Sequence, residues 1–456
     1  MGLGHFGGGL GAVKYLLDRG AMVTVTDLRS ADELADSLSQ LDVSQLEALV
    51  LGEHRDNLFT RAELLVVNPA VKPGNRYVEL ARTVGVPITS EINLFWQHCR
   101  GKKLVVTGST GKSTTASLIH QFLQAAGVPS RLGGNIGVSL LPLVDEITPD
   151  EWVVLELSSF QLAALDELRP RPDIAVVTNF FPNHLDWHGT LDAYREAKQT
   201  AVCWQTKNEI AVLNADDADS ALWPTDAKVV WYGKECWRDR PGVVVGDNHL
   251  IVRSSSGGWK IELTDLAPYL RTPHGLMNVA AAFGAVTVAL GIPVDKLAGA
   301  LLNFQGLPHR MQTVAEIEGR TFINDSKATT PEATIAALKS LLQPAILIAG
   351  GKDKGADLTE LAQTIRSKTK AVALIGDTAT ALEQLLTTPT SDHARSASAL
   401  RIERCNTLAA AVEWAWQQSA PGDAILLSPA CASHGEFANY EQRGEQFIEF
   451  VKSVIQ

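Results

Sequence analysis

The sequence predicts an α/β protein of three domains built on mostly parallel sheets. Three observations carry that prediction. The 456 residues correspond to about three domains at roughly 150 residues each. Short β-branched and aliphatic runs alternate with amphipathic stretches along the chain. Polar, glycine-bearing loops follow several of those runs, at the strand ends where open α/β sheets take their ligands.

The composition agrees. Hydrophobic residues make up 45% and charged residues 20%, as in ordinary globular chains. A net charge of −11 with no Lys/Arg run argues against nucleic-acid and anionic-membrane partners. The cysteines Cys99, Cys203, Cys236, Cys405 and Cys431 are odd in number and lack a CxxC pair, so no disulfide framework or zinc ribbon is readable. No basic, then apolar, leader opens the chain. Residues 275–294 carry no charge, but they are Ala-rich and include Asn278, Thr287 and Pro293, so they read as a buried helix rather than a membrane span. The expectation is a soluble, cytoplasmic protein.

In the first segment, strands are expected at 21–27, 46–51 and 64–68, alternating with helices in a small parallel domain. Gly2, Gly4 and Gly7 form GxGxxG, a turn that normally follows a strand. Only Met1 stands before it. The expectation is a Rossmann-like domain whose first strand is missing, with a hydrophobic gap in its sheet, and a start codon placed too late. The second segment opens near Cys99 with a strand at 103–107 and a glycine turn. Ile119, Phe122, Leu123 and Ala126 then share one helical face. Strands at 152–157 and 174–179 follow, then antiparallel strands at 243–253 and 259–263 around a Ser/Gly turn. Helices near 275–294 and 293–303 close the segment. The third begins near residue 305. Strands are expected at 321–324, 345–349, 371–375 and 424–427. Thr330 and Pro331 are suited to the N-cap and first position of a helix. Leu408, Ala411, Val412, Ala415 and Trp416 line one face of another. The expected domains are therefore 1–96, 97–305 and 306–456.

The strongest local signal is VVTGSTGKSTT at 105–115, between a strand and a helix. Backbone N–H groups and a helix N-terminus there can face a phosphate. Lys112 supplies a positive charge to the β- and γ-phosphates, and Ser113, with Thr114, a hydroxyl to Mg²⁺. Val106 stands where the usual loop has its first glycine, so the loop is a short variant. Glu156 interrupts the apolar strand WVVLELSSF near its end, as a metal ligand or as a buried carboxylate paired with Lys or Arg. His184, Asp186 and His188 cluster in the loop NFFPNHLDWHG, suited to metal, to phosphoryl oxygen or simply to solvent. Three further polar loops, NDSKATTPEA with Asp325 and Lys327, GGKDKGAD at 350–357 and LSPACASHGEF at 427–437, should lie along one sheet edge.

Taken in order, these residues resemble the Mur ligase family of ATP-dependent amide-bond synthetases. The similar motifs are GSTGKST (108–114), GGNIG (133–137), LELSSFQL (155–162), NHLDWHG (183–189), YREAK (194–198), LPHR (307–310), NDSKAT (324–329), GGKDKGAD (350–357) and LSPACASHGEFANYEQRG (427–444). The last motif most resembles the family's D-glutamate-adding branch, and the DNPR of diaminopimelate-adding members is absent.

The resemblance implies an N-terminal Rossmann-like domain for the UDP end, a central P-loop ATPase domain and a C-terminal Rossmann-like domain that takes D-glutamate and closes on ATP. It implies an enzyme of peptidoglycan precursor synthesis, hence of cell-wall growth and division. Such an enzyme joins D-glutamate to UDP-N-acetylmuramoyl-L-alanine through an acyl phosphate, with ATP as co-substrate and two Mg²⁺ ions. It implies that Gly108, Ser109, Thr110, Gly111, Lys112, Ser113, Thr114, Asn278, Arg310 and Asp325 hold ATP. Asp27, Arg29, Asn68 and Asn135 would then meet the UDP-linked substrate, and Thr329, Lys354, Ser433 and Tyr440 the D-glutamate. Ser113, Glu156, His184 and a carbamylated Lys198 would hold metal, and Lys112, His184, Lys198 and Lys327 would serve catalysis. Two positions depart from the family pattern: Asn183 stands for an Asp, and Gly275 for the Asn of HNxxN. The expected assembly is a monomer. Rival readings are another Mur-type or folylpolyglutamate-type ligase, a dehydrogenase using Gly2, Gly4 and Gly7, and a non-catalytic P-loop binding protein.

Overall fold

The computed structural model describes residues 1–456 except 5–6, 137–138, 235–239, 255–256, 264–265, 267, 305, 307, 342, 354–355, 389–399, 434–435 and 455–456. The chain divides into two compact units, Met1–Phe304 and Gln305–Gln456. No helix among the described residues is long and apolar enough to cross a membrane.

The first unit opens with two short parallel pairs, β1 (Thr24–Asp27) with β2 (Ala48–Leu51) and β3 (Leu65–Val66) with β4 (Ile88–Thr89). Met1 and Gly2 stitch the pairs together: Gly2 N–H donates to Thr26 O at 2.8 Å, the Met1 ammonium to Val66 O at 2.9 Å, and Asn68 N–H to Met1 O at 3.0 Å. Beside this stitch lies a cavity of about 790 Å³, lined by Leu3, Val23, Val25, Phe59, Leu65 and others. Residues of two separate apolar clusters line it.

The central sheet has nine strands: β5 (Lys102–Thr107), β6 (Ser130–Gly134), β7 (Trp152–Glu156), β8 (Ile174–Val177), β9 (Ile210–Asn214), β10 (Lys228–Gly233), β11 (Gly242–Val245), β12 (His249–Ser254) and β13 (Gly257–Glu262). Their order is β13-β12-β11-β10-β9-β8-β5-β7-β6, parallel from β6 through β11 and antiparallel over the last two pairs. β7 and β8 are buried along their whole length and β5 over its last four residues, which is why they read as unbroken apolar runs rather than alternating ones. The run at 243–253, expected as one strand, folds back on itself. Gly246 N–H donates to His249 O at 2.8 Å, so the Gly-Asp-Asn stretch makes a hairpin turn inside it. The uncharged stretch at 275–294 is a buried helix over Pro273–Phe283 followed by a wider π turn over Gly284–Ala289.

The expected joint near residue 97 is not a break in packing. Ala12, Tyr15, Ile92, Leu94 and Phe95 share one apolar core with Leu141, Val144, Val153 and Leu155 of the central part.

The second unit carries a six-stranded sheet of β14 (Gln312–Ile317), β15 (Arg320–Asn324), β16 (Ala345–Gly350), β17 (Thr369–Ile375), β18 (Arg401–Arg404) and β19 (Ala424–Leu427), ordered β14-β15-β19-β16-β17-β18. All pairs except β14 with β15 are parallel. Apolar clusters cover both faces, as a doubly wound sheet requires. Thr330 stands at the N-cap of the helix Pro331–Ser340 and Pro331 at its first position, although the Thr330 side chain makes no capping bond.

Candidate functional site

The first unit's site is built on the C-terminal edge of β6, β7, β5 and β8, which are neighbours in the sheet. Val106 of β5 pairs with Glu156 of β7, and Glu156 pairs with Gly134 of β6. One edge therefore gathers the glycine loop, the carboxylate and the GGNIG loop. The chain leaves β5 at Thr107, turns through Gly108 and Gly111, both at positive φ, and enters the helix Lys112–Ala125. A side chain at Gly108 would meet Thr178 Oγ1 at 1.9 Å, and one at Gly111 would meet Asn278 Oδ1 at 2.2 Å. Glycine is thus required by space as well as by conformation.

β8 clamps the loop from its other side. Thr178 Oγ1 donates to Thr110 O at 2.6 Å, Ser109 N–H to Asn179 O at 2.9 Å, and Thr110 N–H to Asn179 Oδ1 at 2.9 Å. Ser109 Oγ lies 3.0 Å from the Tyr194 hydroxyl and donates to Phe181 O. Lys112 folds over the loop, its ammonium donating to Ser109 O at 3.2 Å. Thr178, Asn179 and Tyr194 are the loop's braces. The sequence placed Asn179 and Tyr194 inside quoted segments (NFFPNHLDWHG and YREAK) but gave them no part in the loop, because they reach it from about seventy or more residues away.

Glu156 is 1% exposed and ends β7. Its Oε1 accepts from Asn135 Nδ2 at 3.1 Å, while Oε2 is buried with no hydrogen-bond partner. Among the described residues it is therefore not the carboxylate of a Lys or Arg ion pair. A buried carboxylate oxygen left unsatisfied is costly, and a hard cation is the partner it suits. Ser113, nearly buried at the start of the helix, supplies the hydroxyl such an ion would share. Among the described residues no three His, Cys, Asp or Glu side chains converge as a metal cage. The donors present fit a magnesium ion held by one carboxylate, a hydroxyl and the phosphates themselves.

Lys198 is 2% exposed on the helix Leu191–Gln199 and donates to Gly108 O at 2.7 Å, 5.0 Å from the centre of the Tyr194 ring. Burial first, and then the nearby Lys112 charge, hold its amine well below the ordinary lysine range, against the pull of Glu156. A lysine in a polar helix ordinarily faces water; here folding buries it. His184, in the left-handed conformation at φ 52°, caps a short helix within ring contact of Phe160 and Tyr194. His188 bonds Ser159 Oγ through Nε2 at 2.9 Å and so braces the neighbouring helix.

At the other end of the unit, Asp27 accepts from Arg29 through the backbone N–H, Nε and Nη2 at 2.9–3.0 Å, and from Gly4 N–H at 3.4 Å. Burial pushes its pKa up, but the Arg29 bonds and charge outweigh that and hold the carboxyl below its usual range. Asn68 Nδ2 donates to Gly2 O at 3.1 Å, and side chains at Gly2 or Gly4 would meet Asn68 within 2.8 Å. Asp27 and Asn68 thus shape the first glycine turn, and Arg29, a third exposed, is the cation presented there.

In the second unit, the register Asn324–Leu427–Ile348 sets the ends of β15, β19 and β16 side by side, so the three polar loops share one edge, as expected. Asp325 is nearly buried; it accepts from Ser428 Oγ at 2.7 Å and Met311 N–H at 3.1 Å, and burial pushes its carboxyl up to about 6. Arg310 lies between His309 and Met311, both at positive φ. The Lys327 ammonium sits 5.8 Å over the Tyr440 ring, and Thr329 N–H donates to Lys327 O. Ser433 is 5% exposed, and Phe437 N–H donates to its carbonyl. Burial, with Glu441 beside it, raises the Tyr440 phenol. Lys354 lies outside the described residues. Arg443, which the sequence did not single out, is fully buried. Its guanidinium donates to Ser326 Oγ, Ser326 O and Cys431 O at 2.9–3.1 Å, tying two of the loops together.

A glycine loop opening a helix at the edge of a mainly parallel sheet, with an orphaned carboxylate and two lysines around it, defines a P-loop nucleotide-binding α/β protein. The comparisons place it more closely. Residues 1–90 match the Mur ligase MurD-like N-terminal domain, residues 106–286 the Mur ligase middle domain, and residues 309–431 the Mur ligase glutamate ligase domain. Proteins named UDP-N-acetylmuramoylalanine–D-glutamate ligase are similar along the whole chain. The one from Roseiflexus sp. is 39% identical over 99% of this chain and 97% of its own, and the one from Acidobacterium capsulatum 37% over 99% and 95%. Among solved structures, UDP-N-acetylmuramate-alanine ligase MurC from Thermotoga maritima superposes with a TM-score of 0.55 at 16% identity, covering 98% of both chains. The MurF ligase from Thermotoga maritima in complex with ADP gives 0.53 at 19% over 87% and 99%; both likenesses concern the fold. The chain belongs to the Mur ligase family.

Proposed function

We propose that this chain is an ATP-dependent ligase that joins D-glutamate to UDP-N-acetylmuramoyl-L-alanine, forming an amide with release of ADP and phosphate. The names of relatives up to 39% identical over nearly its whole length support the substrates. The observation that carries the chemistry is the arrangement at one strand edge: the P-loop, the orphaned Glu156 oxygen and the buried Lys198.

A carboxylate is a poor electrophile, and phosphoryl transfer from ATP gives it a leaving group. The alanyl carboxylate attacks the γ-phosphorus, and the P–O bond to ADP breaks. The D-glutamate amine then attacks the acyl phosphate, loses a proton, and expels phosphate. Lys112 lowers the repulsion between the two anions that meet in the first step, and the braced loop holds the phosphates in line for transfer. Asn135 orients Glu156 and faces the incoming substrate. When bound, Mg²⁺ would neutralise phosphoryl charge, with Ser113, Glu156, His184 and a carbamylated Lys198 as its holders. Asn278, against Gly111, supports the nucleotide. Asp27, Arg29 and Asn68 form the UDP end. In the second unit, Arg310, Asp325 and Lys327 serve ATP and the phosphoryl group, while Thr329, Lys354, Ser433 and Tyr440 receive D-glutamate. The domain roles follow as 1–96 for UDP, 97–305 for ATP and 306–456 for the amino acid, in the cytoplasm where ATP is supplied.

ADP release measured with each substrate omitted in turn tests the reading. Release should need both UDP-N-acetylmuramoyl-L-alanine and D-glutamate, with labelled D-glutamate entering the product. No release with both present, or equal release with L-glutamate or diaminopimelate, rejects it.

A further inference from the structure

Glu91 is the first residue of the helix Glu91–His98, whose N-cap Ser90 accepts from Asn93 N–H. An acid at that position usually faces water, yet Glu91 is only 9% exposed. Its Oε1 accepts a short hydrogen bond from Ser139 Oγ. Ser139 follows the GGNIG motif, and its hydroxyl also accepts from Leu141 N–H at 3.2 Å. Both residues are pressed against the start of the helix Gly8–Asp18. A side chain at Gly11 would meet Ser139 Oγ at 2.3 Å, one at Gly7 would come 3.9 Å from Ser139 N, and one at Gly8 would come 3.9 Å from Glu91 Oε2. Three parts of the unit therefore meet at one carboxyl: the glycine turn of the first domain, the helix that leads into the central sheet, and the loop that carries Asn135.

Among the described residues, no charge balances this group. Residues 7–11 and 139–141, the segments packed on it, carry no titratable side chain, and no ion pair among the described residues includes Glu91. Burial pushes the carboxyl up to about 7, with only the Ser139 bond opposing it. The neutral acid fits beside an anion bound at the first turn of the Gly8–Asp18 helix, and the ionised acid repels it.

We propose that Glu91 and Ser139 form a latch that holds the GGNIG loop against the glycine turn and so sets the affinity for the UDP-linked substrate, without touching the reacting atoms. This rests on the reading of that face as the UDP end. Between about pH 6 and 8 the diphosphate and carboxylate of that substrate stay ionised, so a change in affinity over this range reports on the protein.

Calorimetric titration of the full chain with UDP-N-acetylmuramoyl-L-alanine tests the latch. For the wild type, binding should weaken about tenfold from pH 6 to pH 8. Glu91→Gln keeps the acceptor and cannot ionise, so its affinity should stay within about twofold over that range. Ser139→Ala should weaken binding at pH 6 about tenfold while changing KM for ATP by less than about twofold, the loss expected for one buried hydrogen bond. Glu91→Ala should act likewise, and if it fails to fold the other two variants suffice. Identical pH dependence in the wild type and Glu91→Gln, or unchanged affinity in Ser139→Ala, overturns the latch. ADP release by the same wild-type preparation separates the two readings: if it proceeds while the latch pattern fails, only the latch falls, and if the wild type neither binds the UDP-linked substrate nor turns over, both fall.

Discussion

Lys198 shows what a single residue gains from its surroundings. On its sequence it is one lysine in a polar helix. In the fold its amine is buried 2.7 Å from the Gly108 carbonyl with Lys112 nearby, and its proton affinity drops. A neutral amine is the form that adds CO₂, and the carbamate so formed turns a cation into an oxygen donor. ¹³C-bicarbonate should therefore give a carbamate signal in the wild type and none in Lys198→Ala, and that variant should lose on the order of a hundredfold or more in turnover, as removal of a key electrostatic group does. Asp325 and Glu91 are the opposite case, carboxyls raised to about 6 and about 7 by burial. The stability they lend as neutral acids is fully present below the ordinary carboxyl range and is lost as pH rises through those values. Asp325→Asn and Glu91→Gln should accordingly raise the melting temperature at pH 8 and change it little at pH 4, with a gain on the order of 1–3 kcal/mol each at the upper pH. A gain that is equal at both pH values would remove burial of the charged form as its cause.

The phosphate loop was legible as an element because its pattern is local: an apolar strand, two glycines, a lysine, then a helical face. What holds it was not. Thr178 and Asn179 reach Thr110 from about seventy residues away, and Asn278 approaches Gly111 from a distant helix. Gly111→Ala places a methyl 2.2 Å from Asn278 Oδ1 at a φ of 78°, so it should destabilise the unit by about 1–3 kcal/mol and raise KM for ATP, read by thermal melting and by initial rates. Thr178→Val removes the clamp without adding bulk and should raise KM for ATP while costing about 1 kcal/mol of stability. The strand expected at 243–253 failed for a related reason. Its apolar residues are continuous enough to read as one strand, and Gly246 became a turn because β11 and β12 could then pair and cover each other.

At the scale of the molecule, the packing divides near residue 305, while residues on either side of 97 share one apolar core. The second unit has its own six-stranded sheet with an apolar layer on each face. Residues 305–456 produced alone should therefore melt cooperatively, as a domain with its own core does. A fragment of residues 1–96 should not, because Ala12, Tyr15, Ile92 and Phe95 bury their surfaces against the central part. Circular dichroism of the two fragments checks both. The net charge of −11 has a consequence at this scale too. On the proposed function, a protein of that sign would gather three anionic substrates on locally placed cations, for which Lys112, Arg29, Arg310 and Lys327 are the proposed positions, so added salt should raise KM for all three substrates. The sequence by itself determined the fold class, the phosphate loop and the order of polar loops, since each depends on residue spacing along the strand or helix that carries it. Only the tertiary structure decided which carboxylate oxygen of Glu156 is left without a partner, that Lys198 is buried and that Glu91 meets Ser139, because burial and electrostatics are set by residues distant in the chain that folding brings within a few ångströms.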